Sequence, residues 1–550
     1  MTARVTVRRG SVLATGGALA LALLPLAVGA CRARAGDRDA LVLADDLRRL
    51  YGPSPEPGER WRRRSTARLP DGREVPREQA FRDHPRFPAA CRLLLESRQG
   101  DDAMLGAWLL GTLPDGREPE AEPVLEEALG SRDGRAAFEA ALALERIGGR
   151  GPLLALEGAA RWSALPETRT AAQVALERAG RTLGPGGDLA GDPPAGAAPA
   201  GLPPAFRRGV SWWFSEAGSD AGAASFRRLA TLGVTWVSIH TWDPLQRGLH
   251  DPLLAEPGQR FALRGLPSIV KSAHAAGLAV MLKPHLEVRG YEATPEERRI
   301  LRGPDEAARR RLLEDMRKAG AWADVGNHNR IEMTTEAGWH QWFRGYESWL
   351  LPYAEAARAT GVDAFCVGRE LDTTVIRREA DWRRLIARVR GVFPGPLAYS
   401  ANFDTWRAVG FWDALDSIGV SAYFPLSDRP DPSLAELEAG WARALGPLEE
   451  ASRRYGRPVM LTEAGFPSVP DAARAPWSEG GQPADVWLQA RCYEATLRAV
   501  AARPWITGTF FWLWERSAEP PFRDPSHTIP GKPAAYVMAR WYRPTPRPPG

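Results

Sequence analysis

Glu370 and Glu463 each close an apolar run. The first ends Ala364-Phe365-Cys366-Val367-Gly368-Arg369-Glu370. The second ends Pro458-Val459-Met460-Leu461-Thr462-Glu463, and Ala464-Gly465-Phe466-Pro467 follows it. A charge finishing a buried strand is costly unless it opens on a polar site. An ion pair between a strand end and a helix would account for either glutamate alone, but is a poor account of both. Two carboxylates facing each other supply a nucleophile and a group that donates and then accepts a proton. That is the pair glycosidic cleavage needs, at ~5–5.5 Å for retention and wider for inversion.

Parallel strands must position such a pair. Eight apolar runs read as strands: Gly209–Phe214, Val234–His240, Ala279–His285, Ala364–Glu370, Leu397–Ala401, Ser417–Tyr423, Pro458–Glu463 and Gly508–Trp514. Amphipathic stretches lie between them, including Ala223–Leu232, Gly265–Ala276, Trp339–Thr360, Ala380–Val392 and Leu434–Tyr455. This alternation predicts an α/β fold, a (β/α)8 TIM barrel over 205–550, with Glu370 ending the fourth strand and Glu463 the seventh. A doubly wound open sheet is the structural alternative, but no Gly-rich phosphate loop follows the first strand. The longest insertion, Val288–Ile331, is charged and is placed to fold over the cleft.

Other strand ends offer supporting groups. Tyr423 ends strand six and is placed to hydrogen-bond the Glu463 carboxylate, keeping it ionised. Asn402 follows strand five and can both donate to and accept from a hydroxyl. Lys283 and His285 end strand three, where they would hold hydroxyls or modulate the acid. His240 and Trp242 end strand two. Trp512 and Trp514 alternate on strand eight, and one of them should floor the cleft; of Trp212 and Trp213, at most one lines it. His285, His328 and His340 form no recognisable ligand motif, so the sequence predicts no metal, and the chemistry calls for no cofactor.

The barrel region resembles the clan A glycoside hydrolases, and more narrowly family 113, the TIM-barrel endo-β-mannanases. The matching stretches are Met281-Leu282-Lys283-Pro284, Phe365–Glu370, Asp381–Ile386, Gly395–Tyr399, Phe411–Asp416, Ser421–Pro425 and Thr462–Gly465. The resemblance implies Glu370 as acid/base, Glu463 as nucleophile, net retention and a β-linked polysaccharide, with β-mannan as the first expectation. Most of the clan carries Asn just before the acid/base, where it binds the sugar 2-OH. Here that residue is Arg369, and contacts to that hydroxyl must differ.

Ahead of the barrel the chain changes character. Arg4, Arg8 and Arg9 precede an apolar run ending Val28-Gly29-Ala30-Cys31. Residues 1–30 read as a signal peptide, and Cys31 resembles the lipidated cysteine of a bacterial lipobox. The expectation is an exported lipoprotein held on a membrane outside the cytoplasm, periplasmic or at the cell surface. Residues 31–78 read as a tether with one helix at Asp39–Tyr51. Residues 79–182 read as an all-α HEAT-like repeat domain, because Ala143–Gly148 returns as Ala175–Gly180, with an earlier relative at Ala107–Gly111. Such a domain offers a surface to a protein partner. Residues 183–204, nearly all Gly, Pro, Ala and Asp, form a linker.

Composition narrows the partners. A net charge of +5 with both signs interspersed is too mild for nucleic acid. Beside Cys31, the cysteines Cys91, Cys366 and Cys492 form no disulfide framework. Two alternatives to a hydrolase remain at this level. One is a catalytically inactive glycan-binding barrel acting as a surface lipoprotein scaffold. The other is a transglycosylase, in which a sugar replaces water as acceptor.

Overall fold

The computed structural model describes residues 38–51, 66–68, 74–97, 101–113, 118–129, 133–148, parts of 152–163, 165–178, 202–214, 218–246, 248–254, 261–288, parts of 300–314, 327–479, 482–515 and 520–543. The segment read from sequence as a signal peptide, with Cys31, most of the stretch read as a tether, the expected linker up to 201, most of the 288–331 insertion and the Trp242 side chain lie outside them. Among the described residues, no helix is long and apolar enough to cross a membrane.

The chain forms two compact units. The smaller, within residues 1–106, pairs helix Arg38–Tyr51 with helix Phe87–Leu95 and carries a short antiparallel strand pair, Thr66–Arg68 with Glu74–Pro76. Arg48 reaches Asp102 at 2.8 Å within it.

The larger unit, from residue 107 on, holds a closed barrel of eight parallel strands. These are β1 (Arg207–Trp213), β2 (Trp236–Gln246), β3 (Ala279–Val288), β4 (Ala364–Arg369), β5 (Leu397–Asn402), β6 (Ile418–Ser421), β7 (Val459–Ala464) and β8 (Ile506–Phe511), and β8 closes on β1. Helices α1 (Gly218–Thr231), α2 (Phe261–Ala275), α3 (Glu336–Thr360), α4 (Glu379–Val392), α5 (Leu434–Tyr455), α6 (Val486–Ala501) and α7 (Pro533–Tyr542) follow successive strands, except that 3-10 turns alone link β5 to β6. Local chemistry sets several boundaries. Ser433 and Glu436 form a reciprocal capping box at the start of α5, and Gly456, at φ 62°, ends that helix.

The period of two along each strand sorts side chains between two cores. Outward residues such as Val280, Leu282, Val367 and Leu461 join the main core beneath the helices. Inward residues Met281, Ala364, Ala398, Met460 and Phe510 make a small apolar plug, with Trp236 against it. Gly209 is needed there, since a Cβ would fall 2.4 Å from the Phe510 ring. Above the plug the interior turns polar. Ser400 Oγ lies 2.6 Å from Thr462 Oγ1 and 3.0 Å from Ser421 Oγ. The barrel thus carries a polarity gradient toward the C-terminal ends of its strands.

Helices Gly134–Ile147 and Pro166–Arg178 pack on one another and share the core of this larger unit. Phe138 meets Tyr536 edge-on at 5.4 Å, and Arg540 reaches Glu167 at 3.4 Å. Cys91, Cys366 and Cys492 are buried and unbridged.

Candidate active site

The two glutamates reach the barrel mouth by local irregularities. Glu370 follows β4 with φ 50°, in the left-handed region that side chains other than glycine rarely enter. Such a conformation costs about 1–3 kcal/mol and persists where its surroundings impose it; here the Glu370 N–H donates to the Ser400 carbonyl at 2.8 Å. β4 also carries an extra residue against β5, since Cys366 pairs with Ala398 but Arg369 with Ser400. β7 does the same against β6, where Leu461 pairs with Val420 and Glu463 with Ser421. Bulges of this kind re-aim side chains. By strict alternation Thr462 and Glu463 would point to opposite faces. Instead Thr462 joins the serines inside the barrel, and Glu463 also turns inward.

Glu463 is fully buried and held from three sides. Lys283 Nζ donates to Oε1 at 2.7 Å, Tyr423 OH donates to Oε2 at 2.9 Å, and Arg369 Nε lies 3.1 Å from Oε1. Burial opposes its charge, but Lys283 and Arg369 prevail and hold its pKa down to about 2. Lys283, expected to bind hydroxyls or modulate the acid, is therefore an ion-pair partner of Glu463. Its other contact is the Thr462 carbonyl.

Glu370 meets Arg369 Nη2 at 3.0 Å and His328 Nε2 at 3.4 Å. Burial pushes its carboxyl up, while Arg369 and His328 pull it well below the usual carboxylate range. One guanidinium thus touches both glutamates. The Arg369 side chain occupies the gap between them, and its own proton is held more tightly as a result.

A network lies behind Glu370. His328 Nδ1 sits 3.4 Å from Glu287 Oε2, and His285 Nε2 sits 3.4 Å from the same oxygen. Glu287 is driven down, against burial, by the two histidines, and His328 is raised by Glu287 and Glu370 against burial. His285 goes the other way, down to about 3, through burial and the Arg369 guanidinium, whose Nη1 lies 2.8 Å from its Nε2. The ligand atoms of His285, Glu287 and His328 fall within 4.8 Å of one another, a spacing open to a metal ion that the sequence did not predict. The guanidinium against His285 disfavours a dication there.

The remaining predicted residues separate. Trp512 meets Trp213 at 5.4 Å and His240 at 5.1 Å, and Trp213 stacks on His285. Trp213 is therefore the member of its pair that faces the site, while Trp212 packs on Phe226. His240 is wholly buried beside Ser238, beneath this aromatic wall. Trp514 is buried in the main core and does not join the wall. Asn402 Nδ2 donates to Asp372 at 3.3 Å. Glu287 and His328 were missed. The alternation Lys283-x-His285-x-Glu287 would have flagged the first; nothing local flags the second, which arrives on the turn His328–Arg330 after the long insertion.

Comparison with known proteins follows the same lines. Residues 316–528 match the sequence profile of Glycoside Hydrolase Family 113. The structure of the GH113 β-mannanase AaManA from Alicyclobacillus acidocaldarius, in complex with ManMIm, is 30% identical to this chain. The match covers 97% of that chain and 61% of this one, with a TM-score of 0.50. The chain belongs to Glycoside Hydrolase Family 113. A structure described as a GH113 β-1,4-mannanase is 25% identical, with 98% of it and 61% of this chain covered at a TM-score of 0.50. None of the curated proteins matches significantly.

Two outcomes follow for this family 113 barrel. In His328→Asn, Glu370 loses one positive neighbour, so its pKa rises and its acid form survives to higher pH. The basic limb of kcat/KM should move up by about one unit; an unmoved limb would remove His328 from the proton network. The second concerns stability. Glu287, Glu370 and Glu463 all have lowered pKa values in the folded state. Their contribution is present above the unfolded carboxyl pKa of about 4.3 and is lost as pH falls through the folded values. Asp372, raised by burial to about 6, acts in the opposite sense but is a single group. The thermal unfolding midpoint should therefore fall as pH drops from about 4 toward about 2, and a flat midpoint over that range would contradict these shifts.

Proposed function

We propose that this protein is a retaining endo-β-mannanase, with Glu463 as nucleophile and Glu370 as acid/base. One observation carries the reading: two glutamates at the ends of β4 and β7 face a single guanidinium, and Lys283 and Tyr423 keep Glu463 ionised. An ionised, hydrogen-bonded Glu463 is suited to attack an anomeric carbon. Glu370 then delivers a proton to the leaving oxygen and recovers it from the incoming water. Arg369 must leave the gap for a sugar to enter. The substrate class is drawn from the mannanases that this chain resembles.

The test is covalent trapping. A 2-deoxy-2-fluoro-β-mannobioside with a dinitrophenolate leaving group should add one glycosyl unit, and peptide mapping should place it on Glu463. Labelling elsewhere, or inversion seen by NMR during mannan hydrolysis, would overturn the assignment. The position of Arg369 favours a second reading, a glycan-binding barrel without turnover. That reading predicts mannan binding with no product.

We also propose an exported lipoprotein anchored through Cys31, with the helices ahead of the barrel available to a protein partner. The lipobox-like sequence and the repeated Ala-Leu-Glu-Arg stretches support this part.

A further inference from the structure

Trp477 is about half exposed, one of five large apolar side chains that stand out in this way among the described residues. Its ring lies face to face with Phe403, at 5.2 Å between centroids and 12° between planes. Phe403 rests edge-on against Phe424 at 5.8 Å, and Phe424 against the buried Trp441 at 6.1 Å. The indole is therefore backed on one face by a chain of rings that ends in the core. Its exposed area is kept in water, although an indole gains by burial.

This stack belongs to the mouth of the barrel. Phe403 follows Asn402 at the end of β5, and Phe424 follows Tyr423, which holds Glu463. Pro476, just before Trp477, accepts through its carbonyl from His527 Nε2, and the His527 ring meets Tyr423 edge-on at 6.1 Å. The platform thus stands over β5–β7, linked to Glu463 through Pro476, His527 and Tyr423, on the face where the glutamates open.

We propose that Trp477, backed by Phe403, is a sugar-binding platform for a pyranose ring of a glycan chain that extends from the catalytic cleft. The axial C–H groups of a hexopyranose present an apolar face of about the size of the indole. The stack with Phe403 holds the ring in one orientation before the sugar arrives, which lowers the ordering cost of binding. Trp477 touches no reacting group, so its contribution is to chain-length preference. The inference rests on the glycanase reading, and the test separates the two.

Full-length wild type, Trp477→Ala and Trp477→Phe are compared by calorimetric binding and by kcat/KM, using mannotriose to mannohexaose and an aryl β-mannobioside. Trp477→Ala should weaken hexaose binding and lower its kcat/KM by about tenfold, with the aryl mannobioside unchanged and Trp477→Phe intermediate. Equal losses at every length, or none, would overturn the platform while leaving the hydrolase intact. Wild-type binding without cleavage, weakened in Trp477→Ala, would keep the platform and remove the hydrolase. A wild type that neither binds nor cleaves these oligosaccharides overturns both. A change in oligomeric state in Trp477→Ala, with unchanged binding, would make this surface an interface between two copies instead.

Discussion

Glu463→Gln should abolish turnover with the barrel still folded, whereas Glu463→Ala should lose both activity and stability. The difference lies in what surrounds the carboxylate. Lys283 and Glu463 are both fully buried, and their 2.7 Å contact is the main neutralisation either receives. Deleting one member of a buried ion pair leaves an uncompensated charge and costs about 3–5 kcal/mol. Glutamine also leaves the ammonium without a counter-charge, but it keeps the shape and the hydrogen bonds, with its amide oxygen accepting from Lys283 and its NH2 facing the Tyr423 oxygen, so its loss of stability should be the smaller of the two. It cannot attack an anomeric carbon, so kcat should fall by at least ~10^4-fold. Adding Lys283→Met to Glu463→Ala removes the stranded cation and should recover most of the lost stability and none of the activity. Thermal unfolding and reducing-sugar release on the wild type and these three variants read this directly. Residual mannan hydrolysis by Glu463→Gln above about one part in a thousand would remove Glu463 from the nucleophile's role.

Glu370→Gln should instead split substrates by their leaving groups. Mannan and mannohexaose need a proton on the departing oxygen, and general acid catalysis is worth ~10^2–10^4-fold. Their kcat should fall by that amount. A dinitrophenyl mannoside leaves without assistance, so its first step should continue and the glycosyl-enzyme should accumulate as a burst. Azide needs no general base and should relieve that second step, giving a β-mannosyl azide. Arg369 sharpens the expectation, because in the free enzyme it holds Glu370 ionised from 3.0 Å and must move before Glu370 can carry a proton. Equal slowing of activated and natural substrates, with no azide product, would show that Glu370 acts through the structure and not through proton transfer.

The sequence by itself determined the barrel and much of its site. Eight apolar runs with helical periods between them leave few architectures that bury every strand on both faces, and all eight appear as strands. The period of two placed Met281, Lys283 and His285 on one side of β3, and ended β6 with Tyr423 close behind it. These are local properties, set by residue type and spacing.

Tertiary structure decided what local pattern could not. Glu463 follows Thr462 in sequence, and strict alternation would have separated them; the bulge against β6 turns both inward, and a bulge is a property of strand pairing. Lys283 settled on Glu463 and not on substrate hydroxyls, because the closed barrel brings β3 and β7 across one interior. Trp514 fell to the core while Trp512 joined the aromatic wall. His328 had no motif, and its role beside Glu370 depends on where a long insertion returns the chain. Arg369 could be read from sequence as an unusual residue, but its span of both carboxylates required their positions in space. Periodicity fixes which face a side chain takes within one element; which charges meet is set by how distant elements close around a common interior.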